Sequence, residues 1–365
     1  MQFIDLKTQY HALRDAIDAR IASVLAHGQF ILGPEVRELE ERLAVYSGAK
    51  HCISAASGTD ALLISLMALE LKPGDEVITT PFSFASAVEA ISLLGGRAIF
   101  VDVEADTANM DFTGIETAIT PRTRAILPVA LYGQPADMTE INSIAARHTL
   151  PVVEDAAQSF GARYQSRCSG NLSTIGCTSF YPSKPLGCYG DGGAIFTNDD
   201  ALATAMREIR SHGQESAYRH TRIGVNGRLD TIQCAVLLAK LDRFDWEIER
   251  RQAIGARYDS LLRERAPKVR LLHVKLERTC IYAQYTVRVA NRDRVRAKLT
   301  EAGIPTAVHY PVALHHQPAY AAMHRGESYP VAEQLAREVM SLPMYPDLDE
   351  ATQDTIIDAV GKATG

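Results

Sequence analysis

Along the first half of the chain the spacing of apolar positions switches repeatedly between two periods. Residues 13–25 and 35–46 carry apolar side chains at helical spacing, and short alternating or fully apolar runs follow at 51–54, 76–79 and 97–101. The series continues with runs at 125–129 and 151–154, separated by helical patterns at 60–70, 85–94 and 138–148. Strands alternating with amphipathic helices predict βαβ units around a mostly parallel sheet covered on both faces.

After Ile195-Phe196-Thr197 the pattern changes. One long helical segment, residues 229–257, carries Leu237, Leu238, Leu241, Phe244 and Ile248 on a common stripe and is expected to bridge into a second domain. The main strand of that domain is expected from Ile281 to Val289, where apolar positions alternate, and a helix at 292–302 is closed by Gly303. The expected organisation is therefore an N-terminal segment with a large α/β domain over 1–245 and a smaller α+β domain over 246–365. No repeat, charge block or low-complexity linker interrupts it.

Composition changes this picture only by exclusion. With 46% hydrophobic and 22% charged residues among 365, the chain is of ordinary globular type, neither disordered nor collagen-like nor a coiled coil. Its net charge of -6 argues against a nucleic-acid partner. No apolar run approaches the ~18 residues of a membrane span, and Met1-Gln2-Phe3-Ile4-Asp5 lacks the features of a secretion leader, so a cytoplasmic protein with no membrane partner is expected. The six cysteines form no C-x-x-C pair and are read as reduced thiols. The histidines lack an H-E-x-x-H pattern, and the adjacent His315 and His316 are expected to point to opposite sides of the backbone; no metal is expected.

Candidate chemistry concentrates after the strands. Lys184 stands between Pro182-Ser183 and Pro185, ahead of the glycine-rich Gly190-Asp191-Gly192-Gly193. A lysine in a tight, partly apolar loop loses solvation, which lowers its pKa toward that of a nucleophile able to form a Schiff base. Read alone, it is equally a solvated loop lysine. Upstream, Val153-Glu154-Asp155-Ala156-Ala157-Gln158 ends a strand, where Asp155 is suited either to pairing with a pyridinium nitrogen or to capping the next helix. Ser57-Gly58-Thr59 opens a helix after another strand, as a phosphate site or an N-cap. Phe82-Ser83-Phe84 offers an aromatic face for a planar cofactor, or simply core.

Gly58-Thr59-Asp60-Ala61-Leu62, Phe82-Ser83-Phe84, Val153-Glu154-Asp155-Ala156-Ala157-Gln158, Ser179-Phe180-Tyr181-Pro182-Ser183-Lys184 and Asn226-Gly227-Arg228-Leu229-Asp230 follow one another in an order and spacing that resemble the DegT/DnrJ/EryC1/StrS nucleotide-sugar aminotransferases over essentially the whole chain. The resemblance implies a pyridoxal phosphate (PLP)-dependent transferase of fold type I, acting as a homodimer with active sites shared at the subunit interface. It implies that Lys184 carries the cofactor and serves as catalytic base. Asp155 would hold the pyridine nitrogen, Gln158 the ring hydroxyl side and Phe84 the ring face. Gly58, Thr59 and Ser179 would take the phosphate, with Asn226 reaching in from the other subunit. Gly28, Phe30, Ser183, Arg228, His309 and Tyr310 would face the nucleotide sugar, with Tyr218 and His220 approaching it. Phe30 stands where relatives can carry tyrosine, so a contact through that hydroxyl is missing.

The implied reaction is a ping-pong transfer from L-glutamate, which leaves as 2-oxoglutarate, through the pyridoxamine phosphate form to a UDP-linked keto sugar. The phrases Gly28-Gln29-Phe30-Ile31-Leu32-Gly33-Pro34 and Pro305-Thr306-Ala307-Val308-His309-Tyr310-Pro311 incline the expectation toward C3 of UDP-2-acetamido-2-deoxy-3-oxo-D-glucuronate, for lipopolysaccharide O-antigen or similar surface polysaccharide. Amination at C4 of a 4-keto-6-deoxy sugar and non-catalytic nucleotide-sugar binding are the alternatives. Lys184 disfavours a dehydratase, because relatives with that activity replace this lysine with histidine.

Overall fold

The computed structural model describes residues 1–365. Seven strands build its main sheet: β1 (His51–Ala55), β2 (Glu76–Thr79), β3 (Arg97–Phe100), β4 (Thr123–Ile126), β5 (Val153–Asp155), β6 (Ile175–Ser179) and β7 (Gly193–Thr197). Neighbours run β1-β7-β6-β5 and β4-β2-β3, and parallel bridges Ile126–Val152 and Val129–Asp155 join the two groups. Only β7 runs against the rest, antiparallel to both β1 and β6.

The pleat sorts alternate side chains to opposite faces. Ile53, Val77, Ala125, Val153 and Ile195 enter a core with α3 (Gly58–Ala68), α4 (Ser86–Leu93) and α6 (Asp200–Arg210). Their neighbours turn the other way. Cys52 and Phe196 pack with α2 (Pro34–Ser47) and α7 (Thr231–Leu241), while Ile78, Ile126 and Val152 meet α5 (Met138–Arg147). Both faces are thus covered, as the continuous apolar runs require.

Helix α1 (Leu6–His27) begins earlier than its apolar stripe indicates because Asp5 Oδ1 accepts the N–H groups of Lys7 and Thr8, each at 3.0 Å. It stops at Gly28, whose φ of +71° suits glycine.

Two expectations need correction. The single helix over 229–257 is broken: α7 ends at Leu241, and α8 (Phe244–Arg265) starts after Asp242 and Arg243. The break keeps Phe244 and Ile248 in the core of α7, while Ile254, Tyr258 and Leu262 enter a second core with the C-terminal elements. Strand 281–289 is also shorter. Tyr282 adopts φ +45° and Ile281 donates to the Gly133 carbonyl, so only β9 (Tyr285–Arg288) pairs as a strand, between β8 (Arg270–Leu271) and β10 (Val339–Leu342).

The second core also contains α9 (Arg292–Glu301) and α11 (Glu350–Thr364), packed against α8 and β10. By contrast α10 (Pro330–Glu338) returns to the main core through Ala332, Leu335 and Ala336. Its first N–H groups, on Val331 and Ala332, donate to Asp102 just after β3 at 3.0 and 2.9 Å. The expected boundary at 245/246 falls at the head of α8, a helix that both cores share.

Arg210 ties α2, β1 and α6 together by donating to Glu40, to the Ser54 carbonyl and to the Ser54 hydroxyl. Replacing it with methionine removes the charge paired with the Glu40 carboxylate and leaves it only the Ser54 N–H and hydroxyl, and Arg210→Met should cost about 3 kcal/mol, read as a lower denaturant midpoint at unchanged slope.

Candidate active site

A cavity of about 520 Å³ opens beyond the carboxyl ends of the parallel strands, where such sheets present ligand sites. Its volume lies within the ~300–1,000 Å³ range of small-molecule pockets. Gly58, Thr59, Phe84, Asp155, Gln158, Ser179, Ser183, Lys184, His309 and Tyr310 all line it. These are ten of the residues singled out from sequence.

The strand pleat separates the two carboxylates of β5. Glu154 turns away and is fully engaged, accepting from the Ser169 hydroxyl at 2.6 Å and from the N–H groups of Gly170 and Leu172 at 3.0 and 3.2 Å. Asp155 turns into the cavity. Its Oδ1 accepts the Ala157 N–H at 3.0 Å, while Oδ2 has no protein donor. The chain after it makes a turn rather than a helix, so the helix-cap reading of Asp155 does not apply. Burial raises its carboxyl pKa, against the opposing pull of the Ala157 N–H and the Lys184 charge.

Lys184 sits in a loop that closes on itself: its N–H donates to Tyr181 O and that of Cys188 to Phe180 O, both at 2.8 Å. Gly187 is required there, since a Cβ would fall 2.5 Å from the Pro182 carbonyl oxygen. The Lys184 ammonium makes no hydrogen bond. Burial lowers its pKa, and the facing Asp155 carboxylate only partly offsets this. More of the amine is therefore neutral, the form that attacks an electrophilic carbon.

A second lysine braces this loop. Lys240 is 2% exposed, donates to Gly187 O at 2.6 Å and lies 4.4 Å from the Tyr189 ring centroid. Burial pushes its pKa down to about 8. The sequence reading missed it, although a lysine inside the apolar stretch of α7 is the available signal.

At the head of α3 the N-cap reading is borne out. Ser57 is the cap, its Oγ accepting the Asp60 N–H at 2.9 Å. The N–H groups of Gly58 and Thr59, with no intramolecular acceptor, belong to the cavity wall, an arrangement that suits an anion. A Cβ on Gly58 would lie 2.7 Å from Ser179 Cβ, so glycine alone lets the helix head close on β6.

Across the cavity, Phe84 is 57% exposed whereas Phe82 is core, and the Phe84 ring stands 6.1 Å from that of Tyr310. Gln158 donates to Tyr310 Oη at 3.3 Å and accepts the Tyr132 N–H at 2.9 Å. His309 pairs through Nδ1 with Ser341 Oγ at 2.9 Å, and Tyr132 Oη donates to the His309 carbonyl. Burial first, and then the Lys184 charge, pushes the His309 pKa down to about 4.

Gly28, Phe30, Asn226 and Arg228 do not line this cavity. Phe30 O accepts the Thr231 N–H, Ile31 bridges to Asp230, and exposed Asn226 bridges to Ser211. Arg228 Nε is buried without a partner. Tyr218 and His220 belong to an exposed hairpin and also lie outside the cavity. His315 and His316 do not diverge as expected, because a 3₁₀ turn brings their ring centroids to 3.9 Å, tilted by 41°, with both Nε2 atoms toward Glu333, at 3.2 and 3.6 Å. That carboxylate also caps α10 by accepting the Tyr329 N–H. Cavity residues not anticipated include Ser86, Thr178, Tyr181, Asp191 and Gln284.

The chain matches the DegT/DnrJ/EryC1/StrS aminotransferase family over residues 11–361. It is 55% identical, over 96% of its length and 97% of the relative's, to the UDP-2-acetamido-2-deoxy-3-oxo-D-glucuronate aminotransferase of Pseudomonas aeruginosa. Among solved structures, a DegT DnrJ EryC1 StrS aminotransferase from Brucella abortus superposes with a TM-score of 0.96 at 42% identity, covering 100% of both chains. NtdA from Bacillus subtilis, with bound cofactor PMP, superposes with a TM-score of 0.91 at 30% identity, covering 99% of this chain and 83% of that one.

The depressed His309 pKa carries a sign. The unfolded side chain protonates near 6.5 and the folded one near 4, so its contribution to stability is complete above pH 6.5 and is lost as pH falls toward 4. His309→Gln should therefore lose less thermal stability than the wild type across that interval, measured as Tm against pH.

Proposed function

The chain belongs to the DegT/DnrJ/EryC1/StrS aminotransferase family, and from that premise we propose that it uses PLP to move the amino group of L-glutamate to C3 of UDP-2-acetamido-2-deoxy-3-oxo-D-glucuronate. The observation that carries the reading is a single cavity holding a half-buried amine, a buried carboxylate with one free oxygen, an open aromatic face and a helix head with unpaired N–H groups. Those four features fit the aldehyde, ring nitrogen, ring face and phosphate of PLP. The 55% identity with the P. aeruginosa enzyme supports the choice of sugar.

When bound, PLP supplies an electrophilic carbon and a protonated ring that withdraws electrons. Asp155 would keep the ring nitrogen protonated through its negative charge, and Gln158 would meet the ring hydroxyl. Gly58, Thr59 and Ser179 would hold the phosphate, while Phe84 would cover the ring. Lys184 anchors the cofactor. Its Nζ would be the base that takes the Cα proton of L-glutamate, and the same group would return a proton at C3 of the sugar. The balance is one amino group exchanged for one carbonyl oxygen, with 2-oxoglutarate and the 3-amino uronate as products.

Gly28, Phe30, Ser183, Arg228, His309 and Tyr310 form the sugar-nucleotide side of this reading, Arg228 offering a forked donor to carboxylate or diphosphate. The working form is a homodimer. Phe30, Ile31, Tyr218 and Ile223 leave 46%, 50%, 94% and 87% of their surfaces exposed around Asn226 and Arg228. A second subunit that covers this face would carry those two side chains into its partner's cavity. No helix is long and apolar enough to cross a membrane, and six buried free cysteines suit a reducing compartment such as the cytoplasm.

L-Glutamate should bleach the visible band of the PLP-loaded protein, and a panel of UDP- and dTDP-linked 3- and 4-keto sugars should restore it most rapidly with the 3-oxo uronate. Preference for a dTDP-4-keto-6-deoxy sugar overturns the assignment. Lys184→Ala should remove both the band and turnover. Asp155→Asn should retain the cofactor and lose orders of magnitude in rate. Light scattering should give a dimer, and co-expressed Lys184→Ala and Arg228→Ala chains should recover activity that neither has alone; an active monomer refutes the shared site.

A further inference from the structure

Gln284, one residue before β9, borders two spaces at once. One is the large cavity, and the other is a void of about 20 Å³ that also touches Tyr132, Gln134, Tyr282 and Tyr285. Gln284 Oε1 is buried and meets no protein donor, as is Gln134 Oε1 beside the same void. Gln134 cannot relieve this by turning its amide over, because its Nε2 donates to the His273 carbonyl at 2.8 Å. Three of the hydroxyls that line it are committed: Tyr285 to Asp259 at 2.6 Å, Tyr132 to His309 O, and Thr107 to Glu104 at 2.7 Å.

Two unpartnered acceptors on residues that line one void call for a donor with two hydrogens. A single water has them, and the void exceeds the ~10–15 Å³ that one water needs. Such a water fixes the Gln284 amide with its oxygen toward the void. Nε2, which has no acceptor within the protein, then projects its hydrogens into the large cavity beside His309 and Tyr310. Unlike Arg228 or Lys184, this donor is neutral and selects an acceptor without attracting every anion.

Resting on the function proposed above, we infer that Gln284 is a specificity-determining residue: held by a buried water shared with Gln134, its Nε2 donates to a substrate carboxylate. Both reactants carry that group, the amino acid in L-glutamate and the sugar in the uronate. The separate half-reactions distinguish them.

The test uses the PLP-loaded enzyme with Gln284→Leu, Gln284→Glu and Gln134→Leu. Gln284→Leu should raise KM about tenfold or more for one carboxylate-bearing reactant and leave kcat within about threefold, as expected for loss of a hydrogen bond to a charged group. Gln284→Glu, of similar shape but negatively charged, should raise it further. Gln134→Leu, outside the cavity, should raise the same KM by a smaller factor. A rise for L-glutamate assigns the amino donor. A rise for the uronate, absent with the 3-oxo N-acetylglucosamine nucleotide that lacks the carboxylate, assigns the sugar.

Binding is read independently by titrating the holoenzyme with glutarate and with UDP-N-acetylglucosaminuronate, neither of which can turn over. A high-resolution crystal structure should show a water within about 3.2 Å of both amide oxygens. KM and Kd values within twofold of wild type for every variant overturn the assignment, as does a Gln284 amide turned with Nε2 into the void. Should Gln284→Leu fail to fold, Gln284→Glu and Gln134→Leu carry the same test. Failure of L-glutamate to bleach wild-type enzyme refutes the proposed function itself, whereas bleaching with unchanged Gln284 variants refutes only this inference.

Discussion

An acid and an amine facing one desolvated space set the terms for the rest of the molecule. Burial opposes charge on Asp155 and on Lys184, yet each charge favours the other. Neither effect cancels the other. The carboxyl remains shifted upward and the ammonium downward, each toward its neutral form.

Holding such a pair requires stiff surroundings, and these come from several levels. The pleat of β5 sends Asp155 one way and Glu154 the other, where a hydroxyl and two N–H groups satisfy it. The Lys184 loop has no regular secondary structure of its own, but Gly187 allows it to fold tightly and Lys240 grips its carbonyl from below. The latter bond is strong because the ammonium has no water to turn to. Farther out, the Gln158–Tyr132–Tyr310 contacts and the Ser341–His309 bond connect the sheet to the C-terminal elements.

Much of this was readable from residue order because it depends on local periodicity. Apolar runs located β1 to β5 but not β6, and chemistry after strand ends located Asp155 and Phe84, whereas the role of Ser179 came from family likeness. Features that depend on distant segments were hidden. Nothing near Asp242 announces the break between α7 and α8, which exists because two separate cores draw the chain in different directions. The shortened strand before β9 reflects Tyr282 and its approach to Gly133. His315 and His316 diverge only in an extended chain, and the 3₁₀ turn reverses that expectation. Gln284 carried no sequence signal, since its interest arises from two orphaned oxygens brought together by folding. The roles of Gly28, Phe30, Asn226 and Arg228 came from family likeness, not from any local pattern.

The contact between Gly58 and Ser179 also limits how the pocket can diversify. With a hypothetical methyl group only 2.7 Å from Ser179 Cβ, neither position can grow unless the helix lifts away from the sheet. These two sites are therefore coupled, and an evolutionary or laboratory search for new sugar preferences has little freedom there. Its room lies on the opposite wall, around Phe84 and Tyr310, where larger or smaller side chains trade space with solvent instead of with the backbone.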